Sequence, residues 1–403
     1  MKKPLLFFGV LLVLLPVVSR AADFGIVLDQ SGGYGGVGDS ADWDYTGVLL
    51  PRFSCLFGDN KSFYISAGAV AEYVAKDSSE NWTFLPELLR TEFWIFDRAD
   101  LRIGRMFYSD PLGFIADGLF DGRRFTYDSK AGSFSAGAWY TGFLYKRRAR
   151  ITMTPEERLS YNANVDYGAF FDTYFAPSRA LAALDWEHPG LGGSLSTHLS
   201  LLAQFDLEGT DLNTQYLTAK LELPLKALLL TLGGSFELKE ISGEFGMAFT
   251  AEAGTAWILP TVIGSRLSLL GRYSSGEMGG MIGAFLPLTA KSQSSILQPK
   301  LPGTSMVYLD YIARLHRSFS LSLSSSYFIR NDLKTYSGYP VSGAEGEDGY
   351  FLGNEFFGRL YWSPLSDIQL TLGGGVFMSS LGDVAPKLDN VWRVEAGLVF
   401  SLY

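Results

Sequence analysis

Along residues 391–403 the side chains alternate with a period of two, and this alternation constrains the fold more than any other feature of the chain. Trp392, Val394, Ala396, Leu398, Phe400 and Leu402 fall on one face of a strand. Arg393, Glu395, Gly397 and Ser401, with Val399, fall on the other. Successive strand residues point to opposite faces, so one face is an apolar stripe and the other is charged or small. The sequence stops on this strand. A transmembrane β-barrel ends in that way, because its last strand must pair with its first to abolish the sheet edge.

The other end of the chain predicts export. Lys2 and Lys3 precede an almost wholly apolar run over 4–18, and Ser19-Arg20-Ala21 puts small residues where a signal peptidase reads. We expect a signal peptide at 1–21, cleaved after Ala21 with Ala22 as the second choice, and a barrel over 22–403. No cysteine follows the apolar run, which argues against lipid attachment there. Removing 21 of 403 residues leaves 382 and takes away Lys2, Lys3 and Arg20, so 30 basic residues face 42 acidic ones. That balance argues against a nucleic-acid partner. The single cysteine, Cys55, has no disulfide partner and alternates with Phe53 and Phe57, which reads as a lipid-facing filler. The longest later apolar stretch, 221–232, is broken by Glu222, Pro224 and Lys226 and is too short for a membrane helix. Aromatics reach 15%, glycines number 45, and charged residues make up only 19%, against about 25% in an ordinary soluble domain. A barrel with a lipid-facing wall and aromatic girdles has this profile.

About 18 alternating runs can be counted, with 16 as the other even number that fits. In 194–206, Ser194, Ser196, His198, Ser200, Gln204 and Asp206 alternate with Leu195, Leu199, Leu201, Ala203 and Phe205. In 306–316, Val307, Leu309, Tyr311, Ala313 and Leu315 oppose Tyr308, Asp310, Arg314 and His316. Turn signals stand at Gly58-Asp59-Asn60, Asp97-Arg98-Ala99-Asp100, Glu208-Gly209-Thr210-Asp211 and Ser363-Pro364-Leu365. Longer polar stretches at 150–161, 291–304 and 331–350 read as outer loops. Within the first, Thr154-Pro155-Glu156-Glu157 predicts a short helix, set on the rim or folded into the lumen. Gly33-Tyr34-Gly35-Gly36-Val37-Gly38 matches G-x-G-x-x-G, but no helix follows, so it reads as a flexible hairpin loop and not as a nucleotide site.

His188, His198 and His316 are the only histidines, and no metal-ligand spacing surrounds them, so neither a metal nor a cofactor is expected. The stretch from Arg98 to Arg150 holds ten basic and five acidic residues. By alternation Arg102 and Arg124 point inward there, as do Arg272, Arg314, Arg359 and Arg393 elsewhere. With Asp310, Glu355 and Glu395 they form the candidate pore lining. Charged rings set ion selectivity by stabilising the counter-ion, so a basic wall favours anions. The opposing reading pairs each arginine with a lumen acid, Arg359 with Glu355 and Arg393 with Glu395, as cross-braces.

Leu101-Arg102-Ile103-Gly104-Arg105, followed by Asp117-Gly118-Leu119-Phe120-Asp121-Gly122-Arg123-Arg124-Phe125, resembles the early strands of the alginate-export outer-membrane porins. That resemblance implies an 18-stranded barrel with an arginine-lined conduit, with Arg102, Arg105 and Arg124 in the wall. His198-Leu199-Ser200 resembles the His-x-Ser pair of the lipid A deacylase barrels, which implies a base and a nucleophile on one strand. The last strand resembles the signal read by the barrel assembly machinery, with Tyr403 as closing aromatic, although Tyr403 alternates with Ser401 and lies out of phase with the apolar stripe. The expected molecule is an up-and-down antiparallel barrel in the bacterial outer membrane, embedded in lipid, passing small hydrophilic and anionic solutes without catalysis. The alternatives are an importer of hydrophobic compounds, a lipid hydrolase using Ser200 and His198, and a structural or adhesive surface barrel. Oligomeric state is not legible.

Overall fold

The structure, a computed structural model, describes residues 21–38, 40–76, 79–96, 99–209, 211–260, 264–333, 335, 349–383 and 389–402. The segment 1–20, Tyr403 and most of the 331–350 stretch lie outside the described residues. Eighteen strands form one antiparallel sheet. The first nine are β1 (Ala21–Val37), β2 (Ser40–Phe57), β3 (Lys61–Lys76), β4 (Ser79–Ile95), β5 (Ala99–Ser109), β6 (Asp117–Ser129), β7 (Gly132–Tyr140), β8 (Arg179–Leu191) and β9 (Leu195–Asp206). The rest are β10 (Leu212–Leu225), β11 (Leu228–Ile241), β12 (Glu244–Leu259), β13 (Ser265–Ser274), β14 (Thr304–His316), β15 (Phe319–Arg330), β16 (Phe351–Leu365), β17 (Ile368–Met378) and β18 (Val391–Leu402). β1 pairs with β2 on one side and β18 on the other, so the sheet closes.

Alternation sets the two faces of the wall. In β9, Leu199, Leu201 and Phe205 are exposed outward while Ser200 and Gln204 are buried inside. Near the loop end, Trp43 stacks on Tyr73 at 4.2 Å and Trp82 on Phe84 at 5.9 Å. Near the turn end, Phe319 stacks on Trp362 at 5.6 Å. Amphipathic rings at both rims are what two membrane interfaces select. Two turn expectations need correction. Ser363, Pro364 and Leu365 belong to β16, and the reversal follows them. Proline is tolerated there because the ladder is irregular between Trp362 and Leu365, so no bond is lost. Gly33 to Val37 are strand and not hairpin loop, paired with both neighbours of β1.

Three loops fold into the loop-end half of the barrel and build its core there. They span 110–116, 141–178 and 275–303, and their buried side chains include Phe114, Ile115, Leu144, Phe285, Leu288 and Leu301. The loops are longer and deeper than the polar stretches at 150–161 and 291–304 suggest. Asp110 shapes the first, accepting N–H bonds from Leu112, Gly113, Ile115 and Ala116 at 2.8–3.1 Å. The second carries helices α1 (Lys146–Ala149), α2 (Pro155–Asn162) and α3 (Phe170–Tyr174). α2 starts where the sequence places it: Thr154 Oγ1 accepts from the Glu157 N–H, and Glu157 reaches back to the Thr154 N–H. Such a capping box is worth about 1 kcal/mol. Glu157 also pairs with the fully buried Arg179 of β8, which fixes the helix inside the barrel and not on the rim.

One part of the wall is not a ladder. β4 and β5 pair only from Thr91↔Arg105 to Ile95↔Leu101. Among the described residues, 79–90 of β4 pairs with β3 alone. Gly104 sits at the end of the pairing with φ +126°, where a side chain would run into the Thr91 carbonyl. The 141–178 loop fills the opening, packing Tyr145, Val165 and Tyr174 against Leu85. Its side chains take up the free edge: Phe84 N–H donates to Tyr167 Oη at 2.9 Å, and Tyr174 Oη donates to the Pro86 carbonyl at 2.8 Å. From β5, Arg105 donates to the Leu88 carbonyl. Pro86 has no N–H to satisfy, which suits an edge position.

Candidate functional site: a loop-narrowed lumen

On the inner wall, one row of residues crosses five strands. Asp44 of β2 lies opposite Gly33 of β1, which lies opposite Glu395 of β18, then Gly373 of β17 and Arg359 of β16. The two glycines leave room for long side chains to meet over them. Arg359 reaches across Gly373 to Glu395, with Nε at 3.0 Å. Arg393 binds Asp44 through both terminal nitrogens at 2.8 and 3.0 Å, and its Nε stands 3.7 Å from Glu395. A Cβ at Gly33 would lie 2.2 Å from Arg393 Nη2. The G-x-G-x-x-G stretch is therefore explained by wall packing. The expected Arg359–Glu355 brace is corrected: residues four apart on a strand are about 13 Å apart, and Arg359 takes Glu395 instead. The Arg393–Glu395 brace is secondary to Arg393–Asp44.

Two more of the predicted residues hold the loops. Glu355 of β16 is 2% exposed and accepts three N–H bonds, from Ser295, Ile296 and Leu297, at 2.9–3.1 Å. Arg272 of β13 pairs with Glu252 at 2.8 Å, donates to Gln293 and lies 4.2 Å over the Phe114 ring. Sequence alone does not single out Glu237 of β11, fully buried, which accepts the Leu286 N–H at 2.8 Å and holds the 275–303 loop from another part of the wall.

The remaining predicted residues are dispersed. Arg102 and Arg124 face each other across β5 and β6. Arg102 lies 4.2 Å over Trp94 and lines a cavity of about 450 Å³ with Arg90, Glu92 and Tyr64. Arg124 donates to Ser135 at 2.8 Å and stands 3.5 Å from Asp185. Asp310 accepts from Ser322 at 3.1 Å, with Arg266 at 3.8 Å. Arg314 is exposed at the turn end, where it donates to the Arg317 carbonyl, away from the others. Ser200 and His198 share the inner face of β9. His198 lies opposite Glu187 and Lys220, and Ser200 Oγ lies 3.4 Å from Tyr108 Oη. No hydrogen bond joins the two among the described residues.

Where the loops meet, they leave a cavity of about 500 Å³. α2 contributes Arg158, Tyr161 and Asn162, the 275–303 loop contributes Lys300, and the wall contributes Arg393. Every charged residue of this lining is a cation. Burial, and then the Arg150 and Arg158 charges, push the Lys300 ammonium below the usual lysine value. Arg158 and Lys300 are candidate site residues that strand alternation misses, because alternation says nothing about which loops enter the lumen.

No protein-family model matches the sequence, and neither does any curated protein. Solved structures do match. The fold is that of the outer-membrane porins. Pseudomonas aeruginosa OccK2 (OpdF) in complex with glucuronate superposes with a TM-score of 0.61 at 13% identity, over 96% of this chain and 100% of that one. Pseudomonas aeruginosa OccK9 (OpdG) gives 0.63 at 10% identity, over 96% and 99%. Acinetobacter baumannii OccAB2 gives 0.62 at 9% identity, over 96% and 98%. About 96% of the chain thus shares an architecture with these porins, at a sequence distance that shows the fold alone.

Proposed function

We propose that this protein is a passive outer-membrane channel for small hydrophilic anions, with sugar acids as the best-fitting class. The observation that carries the reading is the cavity between α2 and the 275–303 loop, whose lining holds Arg158 and Lys300, with Arg393 already paired to Asp44, and no acid. Its volume of about 500 Å³ falls in the range of small-molecule sites. Cations held in a narrow, partly desolvated passage lower the free energy of an anion there more than they would in open water. The structural likeness to OccK2 (OpdF), which was solved with glucuronate, supports the sugar-acid class.

Arg102, Arg124, Arg272, Arg359 and Arg393, with Asp310, Glu355 and Glu395, belong to this reading as pore-lining residues, and Arg314 as a rim residue. The likeness of 101–105 and 117–125 to alginate-export porins supports an arginine-lined conduit, with Arg105 turned to a structural pair with Asp121 at 2.7 Å. Export through a signal peptide cleaved after Ala21, assembly through the last strand and a lipid-embedded wall complete the proposal, and the chemistry is permeation without catalysis. The test is proteoliposome swelling in isosmotic glucuronate against isosmotic glucosamine. Glucuronate is expected to enter several-fold faster, and Arg158→Glu/Lys300→Glu to erase the difference. Equal rates for both solutes in the unaltered protein would refute the anionic reading.

A further inference from the structure

The seam between β4 and β5 lies at membrane depth. Trp43, Tyr73 and Trp82 mark the upper girdle, and residues 84–90 of β4 run from there toward the turn end. At about 3.3 Å per residue and a tilt near 40°, they sit roughly 5–20 Å below it. In that layer only closed ladders are ordinarily tolerated, because lipid cannot hydrogen-bond a free edge. Here Tyr167, Tyr174 and Arg105 take the place of a strand. A seal of a few side chains separates more readily than a ladder of backbone bonds, and segments that move are drawn from such low-stability parts.

The same loop serves two compartments. Arg158 and Tyr161 line the cationic cavity, while Tyr167 and Tyr174, further along it, bond the free edge of β4. Phe143, whose carbonyl accepts from the seam residue Arg105, is 61% exposed. On its lumen side the panel is pinned by Arg147–Glu72 at 2.9 Å and Arg148–Glu87 at 3.1 Å. The two are linked by the chain itself: Arg158 of the cavity and Tyr167 and Tyr174 of the seal belong to one loop. For a solute with an apolar tail, the route down the charged wall past Arg393, Arg359 and Arg124 is unfavourable, and the aromatic route sideways is not.

We propose that the 141–178 loop is the movable panel of a side door, through which single-chain anionic amphiphiles leave the lumen for the outer leaflet. The proposal rests on the cationic cavity of the preceding reading for the head group and adds a second exit. Its test uses Phe84→Cys/Tyr167→Cys in a Cys55→Ser background, bridged by a short bifunctional thiosulfonate reagent. The protein is placed in proteoliposomes with a lipopolysaccharide outer leaflet, and entry of laurate and of glucuronate is followed before bridging, after it, and after reduction. Bridging is expected to cut laurate transfer at least tenfold, reversibly, with glucuronate flux held within twofold. Tyr167→Phe/Tyr174→Phe, which removes two seal hydroxyls, is expected to raise laurate transfer several-fold. Laurate transfer that ignores the bridge, or that falls in step with glucuronate, overturns the side door. Loss of glucuronate flux in every sample speaks against the channel reading alone, since the side door is judged by the reversible change in laurate.

Discussion

At the scale of single residues, charge in this barrel is governed by what a side chain can reach. Arg393 and Arg359 find Asp44 and Glu395 because Gly33 and Gly373 carry no side chains between them. Lys300 has no acid partner of this kind among the described residues, and the charges that act on it are those of Arg150 and Arg158. Its folded-state value lies below the usual lysine value, and the protonated form is the cation. The Lys300 charge is therefore lost as pH rises, at a lower pH than for an ordinary lysine. Anion preference read from reversal potentials is expected to decline with rising pH before ordinary lysines titrate, and Lys300→Met to abolish the decline. A preference that holds flat to pH 10.5 in the unaltered protein would contradict this placement of Lys300.

At the scale of elements, the 275–303 loop is held by carboxylates from the wall, Glu355 of β16 and Glu237 of β11. Glu355→Ala leaves three loop N–H groups without their acceptor, a cost of about 1–3 kcal/mol for each that stays buried. The barrel ladders are untouched, so the loop is expected to loosen while the barrel survives. Single-channel records should then show higher conductance and added flicker; unchanged records would mean that the loop does not narrow the pore. The strands were legible in the sequence because the lipid-facing wall forces a period of two, as at Leu199, Leu201 and Phe205. The helix at Pro155 was legible because capping is local chemistry. What the loops do was not legible. Glu355 looked like a lumen charge beside Arg359, since alternation fixes the face of a side chain and not its partner. The pairing limit between β4 and β5 was hidden too: residues 79–90 alternate as any strand does, and Pro86 alone hints at an edge.

At the scale of the whole molecule, eighteen strands close a wall, and three inward loops leave between them a cavity whose charged lining is cationic. The wall carries apolar residues out and the ion-pair rows in, so the fold and the lumen chemistry follow from one alternation. A barrel of this size without its loops would leave an aqueous channel, and under the proposed function selectivity comes from what the loops place in it. The central claim is that the passage is open and prefers anions. The most direct measurement is single-channel current of the refolded mature chain in a planar bilayer under a potassium chloride gradient. Steady openings with a reversal potential shifted toward the chloride value, and a smaller shift in Arg158→Glu/Lys300→Glu, are predicted. A folded barrel that carries no current, or one whose reversal potential lies on the potassium side, would contradict the account.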